Sequence, residues 1–316
     1  MNDVTTMRAI SQDVLGGPEV LREVTPERPE PRPNEVLVRV RAAGVNPTDW
    51  KHRATGGFLG EPPFVLGWDV SGEVAGTGIG VAEFRPGDEV FGMLPYPFGH
   101  GSHAEYVIAP VRALWHKPAS VDHTQAGALP LVSLTAWQAL TERAGVRRGQ
   151  RVLIQAAAGG VGHVAAQIAT AHGAHVIGTA SAAKHDFLRE IGVAEPIDYH
   201  STDVAEAVRD VDVVLDTLGG ETALRSLRTL RPGGILVSIL PVGSRELYEE
   251  AERLGVRAVR MLVDADRAGM RSVAELVESG KLRASIAGTY PLADAAKAHE
   301  QGETGRTTGK LVLLVD

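Results

Sequence analysis

The hydrophobic and polar positions follow two different patterns along the chain. In the first third, the segment EVLVRVRA at 35–42 alternates apolar and polar residues with a period of two, which is typical of a strand with one buried face. Further short strands are predicted at 70–75, 89–91 and 104–108, and glycine and proline residues separate them. Short strands at this spacing indicate an antiparallel, barrel-like domain.

After about residue 125 the pattern changes to short apolar strands that alternate with helix-length segments. The predicted strands lie at 152–155, 175–180, 196–198, 211–216, 235–239 and 257–263. Helical spacing occurs between them near 160–172, 183–191, 222–230 and 245–254. Strand–helix alternation of this kind predicts a doubly wound parallel sheet with helices on both faces.

The C-terminal stretch returns to a mixed pattern, with helices near 270–280 and 292–300 and strands near 285–290 and 310–315. A chain that leaves one domain, builds a second and returns makes the first domain discontinuous. We therefore predict an α/β protein of two domains. The β-rich domain comprises 1–126 and 265–316, and the parallel-sheet domain comprises 127–264.

Composition narrows the class of protein. A chain of 316 residues with 44% hydrophobic and 22% charged residues suits two ordinary globular domains. A net charge of −7 argues against a nucleic-acid surface. The sequence has no cysteine, which excludes disulfides and thiolate ligands. Because the first ten residues lack a signal-peptide pattern and no apolar run reaches a membrane span, we expect a cytoplasmic protein with no membrane partner.

The strongest local motif is RVLIQAAAGGVGHVAAQIA at 151–169, a buried strand that enters a glycine turn and then an alanine-rich helix. This context is typical of a dinucleotide site, in which the helix N-terminus faces the phosphates and glycines allow close approach. Ala157 replaces the usual first glycine, and a plain strand–turn–helix corner is the alternative. The predicted cofactor-binding residues here are Gly159, Gly160, Val161 and Gly162.

The end of the second parallel strand indicates which dinucleotide binds. An NAD site carries an acid about 20 residues past the glycines, whereas this chain reads GTASAAK at 178–184. Without the acid a 2′-phosphate is not repelled, Ser181 can donate a hydrogen bond, and Lys184 supplies a cation. We therefore predict NADPH, although Ser181 as a helix cap and Lys184 as a solvated lysine are the alternatives.

Several ordered motifs resemble those of one enzyme family, namely GVNPTDW (44–50), GWDVSG (67–72), RPGDEV (85–90), SLTAW (133–137), VVLDTLG (213–219) and TGKLVL (308–313). From about residue 7 to residue 316 the chain resembles the quinone oxidoreductase (zeta-crystallin-like) branch of the medium-chain dehydrogenase/reductase superfamily. The resemblance implies a GroES-like substrate domain, a Rossmann NADP-binding domain and a homodimer.

The resemblance also implies the chemistry. Alcohol dehydrogenase relatives hold zinc through a cysteine and a histidine at the positions of Asn46 and Trp68, and this chain has neither ligand there. We expect no metal and therefore a substrate that needs no Lewis acid. The predicted reaction is hydride transfer from NADPH to a small electrophile, either a quinone or a related activated alkene.

Family resemblance implies further roles. It places Asn46 beside the nicotinamide, where its amide would bond a ribose hydroxyl or the substrate oxygen. It also implies cofactor contacts for Thr135, Tyr199, Gly219 and Lys310. Asn46 as a turn residue, Thr135 as a helix residue and Lys310 as a strand-edge lysine are the alternatives. The segment ILPVG at 239–243 departs from the Gly-x-x-Ser-Gly of relatives.

The substrate is less constrained by the sequence. The predicted pocket is aromatic and is lined by Trp50, Phe58, Trp68 and Tyr96. It suits quinones, but an enone or enoyl-thioester reductase is an alternative, and so is a catalytically silent NADPH-binding sensor or structural protein. His100 and His103 form no metal cluster with a third ligand, and we expect them at the surface.

Overall fold

The computed structural model describes residues 5–240 and 245–316. The chain divides into two compact units. The first runs to Leu134 and resumes at Asp264, and the second runs from Thr135 to Val263. The first unit is rich in strands, and the second contains a parallel sheet. The predicted α/β fold class is therefore confirmed.

The secondary structure agrees with most of the predicted elements. The strands are, in chain order, β1 (Ala9–Gln12), β2 (Arg22–Val24), β3 (Glu35–Val45), β4 (Phe64–Val65), β5 (Asp69–Thr77), β6 (Glu89–Met93), β7 (Tyr106–Pro110), β8 (Leu114–His116), β9 (Arg151–Ile154), β10 (His175–Ala180), β11 (Glu195–Asp198), β12 (Val211–Asp216), β13 (Leu230–Ser238), β14 (Arg257–Arg260), β15 (Ile286–Pro291) and β16 (Lys310–Leu314). The α-helices are α1 (Pro47–Thr55), α2 (His123–Ala128), α3 (Pro130–Trp137), α4 (Gly160–Ala171), α5 (His185–Glu190), α6 (Val204–Ala207), α7 (Gly220–Ser226), α8 (Arg245–Arg253), α9 (Arg267–Glu278) and α10 (Ala295–Glu303). No helix in the described part of the chain combines the length and the apolar character needed to cross a membrane.

Two sheets form the first unit. The larger has the order β15–β16–β3–β5–β6–β8, with β7 also paired to β3, and all its pairs are antiparallel except β15 with β16. Strand β3 is its longest element, and Val36, Val38 and Val40 are buried while Arg39 between them is exposed. The period-two pattern at 35–42 therefore marks the central strand of this sheet. A small antiparallel sheet, β2–β1–β4, was not predicted because its strands are short.

The first predicted domain boundary, between 126 and 127, falls inside α2. The structure keeps this helix in the first unit because it packs against β3, β5 and β16. The unit therefore continues to Leu134, within α3, and the second boundary lies at Val263–Asp264.

The second unit is built on a six-stranded parallel sheet with the order β11–β10–β9–β12–β13–β14. Numbered from β9, this is the 3-2-1-4-5-6 order of doubly wound dinucleotide-binding folds. Leu153, Val214 and Leu236 lie side by side in its centre and are buried. Strands covered on both faces need apolar side chains on both faces, which explains the uninterrupted apolar run of β9.

Candidate functional site

The loops that sequence analysis predicted to bind the cofactor lie at the carboxyl edge of the parallel sheet. From β9 the chain moves outward to β10 and β11, and then returns to β12 on the other side of β9. The strand order therefore reverses between β9 and β12. In open parallel sheets ligands bind at such a switch point.

The glycine loop connects β9 to α4 with very little space between them. Gly159 precedes the first residue of α4 with extended backbone, so the helix begins within the glycine run. A Cβ atom at Gly162 would lie 2.3 Å from the Ala156 carbonyl oxygen and 2.7 Å from Ala157 Cα. Only glycine allows this approach. The N–H groups of the first turn of α4, which contains Gly160 and Val161, remain the part of the site suited to phosphate oxygens.

A chain of buried polar side chains holds the glycine loop in shape. The Thr179 hydroxyl accepts a hydrogen bond from the Ala156 N–H at 3.0 Å and donates to Gln155 Oε1 at 2.8 Å. Gln155 Nε2 donates in turn to Ser226 Oγ at 2.8 Å. Sequence analysis did not predict this series of hydrogen bonds. The sequence feature that could have indicated it is a polar residue at or just beyond the carboxyl end of an apolar strand.

The end of β10 places the predicted phosphate-binding residues beside one another. In the parallel pairing of β10 with β11, Ala180 lies opposite Asp198, so the next residues, Ser181 and Tyr199, lie at neighbouring strand ends. Ser181 precedes a short 3-10 helix, and its side chain makes no cap hydrogen bond. The alternative of a simple helix cap is therefore not realised. Lys184 ends the same short helix, and burial lowers the pKa of its ammonium group.

The turn after β12 depends on a buried carboxylate. Gly219 has φ +71°, a conformation that favours glycine, and its N–H donates to Asp216 Oδ1 at 2.8 Å. The other oxygen of Asp216 accepts a hydrogen bond from the Ser238 hydroxyl at 2.7 Å. Asp216 thus shapes the turn, a role that sequence reasoning missed. The segment 239–243, which departs from the Gly-x-x-Ser-Gly of relatives, lies partly outside the described residues, because 241–244 are not described.

Four of the predicted positions thus lie at this carboxyl edge: the glycine loop, Ser181, Tyr199 and Gly219. The close packing that Gly162 allows and the half-buried start of α4 fit a dinucleotide pyrophosphate. Thr135 is the first residue of this unit and is buried in α3. Its predicted contact with the cofactor stays a prediction.

In the first unit, Asn46 and Lys310 are brought together inside the protein. The Lys310 ammonium donates to Asn46 Oδ1 and to the Val45 carbonyl, the latter at 3.0 Å, and lies 3.4 Å from Asp69 Oδ2. Asn46 Nδ2 donates to the same Asp69 oxygen at 2.8 Å. Lys310 is therefore not a strand-edge lysine in solvent. It is buried, and its Nζ contacts Asp69 and Asn46. Burial lowers the pKa of its ammonium group, and the charge of Asp69 opposes this.

Asp49 completes this polar cluster. Its Oδ2 accepts a hydrogen bond from the Asn46 N–H at 2.6 Å, and Asn46 is the N-cap of α1. Burial raises the pKa of Asp49 to about 7 against the opposing effect of that hydrogen bond, and the charge of Asp69 raises it further. Burial also raises the pKa of Asp69, although Lys310 opposes this. The pair of acids thus faces one ammonium group.

Three of the four predicted pocket aromatics form a cluster around His52. The ring of His52 lies 6.0 Å from Phe58, 5.1 Å from Trp68 and 6.2 Å from Tyr96, measured between ring centroids. Phe58 is 46% exposed, whereas Trp68 is fully buried and donates from Nε1 to the Pro97 carbonyl at 3.1 Å. Trp68 therefore supports the other rings and cannot itself line an open pocket.

The fourth residue, Trp50, does not belong to this cluster. Its ring lies 6.3 Å from that of His299 and against Gly302 of α10, where a Cβ would approach Trp50 to 2.5 Å. Residues two apart on a helix point in different directions, whereas residues four apart share a face. His52 and Thr48 therefore share one face of α1, and Trp50 points away from it. Trp50 therefore lies outside the cluster around His52, and its predicted place in the substrate pocket stays a prediction.

His103 and His299 are buried, so the predicted surface position of His103 was wrong. Their rings lie 5.9 Å apart, and Arg53 donates to His299 Nδ1 at 3.2 Å. Because arginine can only donate, the neutral His299 ring carries its hydrogen on Nε2. Within residues 5–240 and 245–316, His299 Nε2 and both ring nitrogens of His103 have no hydrogen-bond partner.

A separate groove of about 620 Å³ lies on the helices of the second unit. Its lining is almost entirely charged and comprises Asp203, Ala205, Glu206, Glu221, Leu224, Arg225, Arg228, Glu246, Glu249, Glu250 and Arg253. Opposite charges pair within it, including Arg225 with Asp203 and Arg253 with Glu250. No predicted site residue lines the groove, so it is not our candidate site.

Family comparisons cover both ends of the chain. Residues 32–119 match the alcohol dehydrogenase GroES-like domain, and residues 191–313 match a family described as zinc-binding dehydrogenase. The first match agrees with the predicted GroES-like domain. Among the described residues, no group of three or more histidine, cysteine, aspartate or glutamate side chains could hold a metal ion. Metal independence nevertheless stays a prediction.

Whole-chain comparisons give more specific relatives. Quinone oxidoreductase of Mus musculus is 32% identical over 98% of each chain. The structure of the quinone oxidoreductase from Coxiella burnetii is 38% identical, covers 99% of this chain and 100% of its own, and superposes with a TM-score of 0.93. The Escherichia coli quinone oxidoreductase, solved in complex with NADPH, is 29% identical, covers 97% of this chain and 99% of its own, and has a TM-score of 0.89.

Proposed function

This chain belongs to the quinone oxidoreductase branch of the medium-chain dehydrogenase/reductase superfamily and is an oxidoreductase, and we propose that it reduces quinones or related activated alkenes with NADPH and without a metal. When bound, NADPH would supply the hydride. The chain's own part is to bind the dinucleotide at the glycine loop, to orient the substrate beside aromatic rings and to limit its contact with water.

The order of strands β9, β10 and β11 supports the choice of dinucleotide. Strand β10 ends without an acid, and the pairing with β11 sets Ser181 beside Tyr199, with Lys184 in the following turn. A 2′-phosphate carries nearly two negative charges and would gain charge-assisted hydrogen bonds here. This arrangement is the observation on which the proposed NADPH preference rests.

The magnitude follows from hydrogen-bond energetics. A hydrogen bond to a charged group contributes roughly 1.5–3 kcal/mol, and about 1.4 kcal/mol is tenfold in affinity. Two such contacts, partly offset by desolvation, predict that kcat/KM with NADPH exceeds that with NADH by on the order of a hundredfold.

Steady-state assays of the wild type and of Lys184→Ala test this preference. We expect the variant to raise the KM for NADPH and to leave the KM for NADH nearly unchanged, because of the two dinucleotides only NADPH carries the 2′-phosphate that the Lys184 ammonium group would contact. Lys281→Ala, at an exposed lysine of the first unit, is the control. Equal use of both dinucleotides by the wild type would contradict the proposal. So would a Lys184→Ala variant that loses both dinucleotides alike.

A panel of benzoquinones, enones and alkenals, assayed with and without a chelator, tests the reaction itself. The proposal requires turnover of at least one conjugated acceptor that survives chelation. NADPH binding without turnover of any acceptor would favour the silent sensor instead. A cytoplasmic location and a homodimer stay predictions.

A further inference from the structure

We propose that the Tyr96 hydroxyl donates a hydrogen bond, and then its proton, to the substrate oxygen that becomes negative during reduction, and that Thr48 and His52 position it. This inference rests on the proposed function. It identifies the proton donor that a two-electron reduction by hydride requires. Tyr96 would be a catalytic residue, and Thr48 and His52 would be positioning residues.

The positions of Thr48 and His52 follow from α1, where they are one turn apart on the same face. His52 Nδ1 lies 2.7 Å from the Thr48 carbonyl oxygen and 3.1 Å from the Thr48 hydroxyl. A carbonyl oxygen can only accept, so the ring hydrogen of neutral His52 is on Nδ1. Burial lowers the pKa of His52, which favours this neutral ring. The direction of the hydrogen bonds is thereby set at the His52 end.

Thr48 in turn makes a hydrogen bond to the phenol of Tyr96. Thr48 Oγ1 donates to the Tyr96 hydroxyl oxygen at 3.0 Å. With its oxygen occupied as an acceptor, Tyr96 keeps its own hydrogen for another partner. In the described segments 5–240 and 245–316, no residue besides Thr48 makes a hydrogen bond to the Tyr96 hydroxyl. A substrate oxygen is the kind of acceptor that would complete the arrangement.

The surroundings of Tyr96 suit a flat, conjugated substrate. Phe58, which is 46% exposed, lies edge-on to Tyr96 with ring centroids 6.1 Å apart. The buried ring of Trp68 packs against Tyr96 at 5.3 Å from centroid to centroid. The phenol is half-buried and therefore reaches both the aromatic cluster and solvent. An apolar setting strengthens a hydrogen bond to a developing charge.

The proposed step transfers a hydride to carbon and a proton to oxygen. NADPH, when bound, would supply a hydride with two electrons to the electrophilic carbon, and the displaced π-electron pair of the conjugated system would move onto the carbonyl oxygen. The O–H bond of Tyr96 breaks, its proton forms a bond to that oxygen, and the electron pair stays on the phenolate. Thr48 Oγ1–H stabilises this phenolate until water returns a proton. A reduced quinone is itself a phenol, so donor and product belong to the same class of acid. Burial raises the pKa of the Tyr96 hydroxyl, and the hydrogen bond from Thr48 opposes this.

Tyr96→Phe removes only the hydroxyl and tests the donor directly. We expect kcat with a benzoquinone to fall about 10–100-fold while the KM values change little, because the lost hydrogen bond matters mainly as charge develops. The solvent deuterium isotope effect on single-turnover NADPH oxidation should also be lost. Tyr106→Phe, at a half-buried tyrosine of the same unit that stacks with Arg28, is the matched control.

Thr48 variants test the positioning. Thr48→Val keeps the shape and removes the hydroxyl, so it should lower kcat by part of the Tyr96→Phe effect. Thr48→Ser should restore most of the rate because it restores the donor. A Tyr96→Phe enzyme with unchanged kcat and isotope effect would overturn the inference, even though the wild type reduces quinones. A wild type that reduces no quinone or enone would instead overturn the proposed function.

Discussion

The burial of His103 and His299 makes the stability of the first unit depend on pH. Burial lowers the pKa of His103 to about 3, with a contribution from the charge of Lys310. Burial likewise lowers the pKa of His299 to about 2, with contributions from His103 and Arg53. Both rings stay neutral in the folded protein but gain a proton in the unfolded chain once the pH falls below about 6.5. The stability that they contribute is present above pH 6.5 and is lost as the pH falls toward 3.

The size of the loss at pH 5 depends mainly on the unfolded state. Since pH 5 lies well above both folded pKa values, each histidine loses about 1.36 kcal/mol for each pH unit below 6.5, or about 2 kcal/mol. Asp49 acts in the opposite direction. Its pKa is raised to about 7, so its contribution is present at low pH and is lost as the pH rises from about 4 through 7. The wild-type pH profile is therefore a sum, and a variant is needed to separate the histidines.

His299→Gln is the informative substitution because glutamine keeps an acceptor for Arg53 and cannot titrate. We expect the difference in unfolding free energy between wild type and variant to shrink by about 2 kcal/mol from pH 7 to pH 5. Urea unfolding followed by tryptophan fluorescence reports on the correct unit, because Trp50, Trp68 and Trp115 belong to it and only Trp137 does not. The control is His116→Gln, at an exposed position of the same unit. A difference that stays constant between the two pH values would refute the reasoning.

Two further substitutions test other parts of the structure. Lys310→Met should destabilise the protein by about 3–5 kcal/mol in urea at pH 7, because it leaves Asp69 buried without its cation. Adding Asp69→Asn to the same chain should recover part of the lost stability. A urea unfolding curve for Lys310→Met that matches the wild type would contradict the prediction. Gly162→Ala should cost about 1–3 kcal/mol and weaken NADPH binding at least about tenfold, because its Cβ would lie 2.3 Å from a carbonyl oxygen. Gly76→Ala, whose Cβ would meet nothing nearer than 4.0 Å, is the control, and equal NADPH titrations for both variants would rule out the packing argument.

The features that sequence analysis predicted correctly are local in the chain. The strand β9, the helix α4 that follows the glycines and the strand β10 are each contained in one short segment. Their positions at one sheet edge follow from strand order, which parallel connections restrict strongly. The domain bounds stay a prediction. The boundary predicted at 126–127 falls within α2, which packs against strands of the first unit, and no local pattern indicates that packing.

The features that it missed depend on contacts between distant segments. Lys310 and Asn46 are 264 residues apart, and neither composition nor spacing indicates that they meet. The cluster around His52 likewise joins α1 to the loop of Tyr96, and only the helical period of α1 could have separated His52 from Trp50 in advance. His299 is buried where α10 packs beside α1, and His103, from the segment before β7, lies against it. Single-sequence patterns do not report that packing.

The hydrogen bonds of Asn46 also discriminate between the two contacts predicted for it. Its Nδ2 group has two hydrogens, and they are directed to Asp69 at 2.8 Å and, more weakly, to the Gly44 carbonyl at 3.4 Å. Its Oδ1 accepts from Lys310, and the whole residue is buried. With these partners kept, Asn46 cannot donate a further hydrogen bond. A quinone oxygen can only accept, so these partners leave the substrate oxygen to a different donor, the role that we assign to Tyr96. The predicted contact of Asn46 with a ribose hydroxyl stays a prediction.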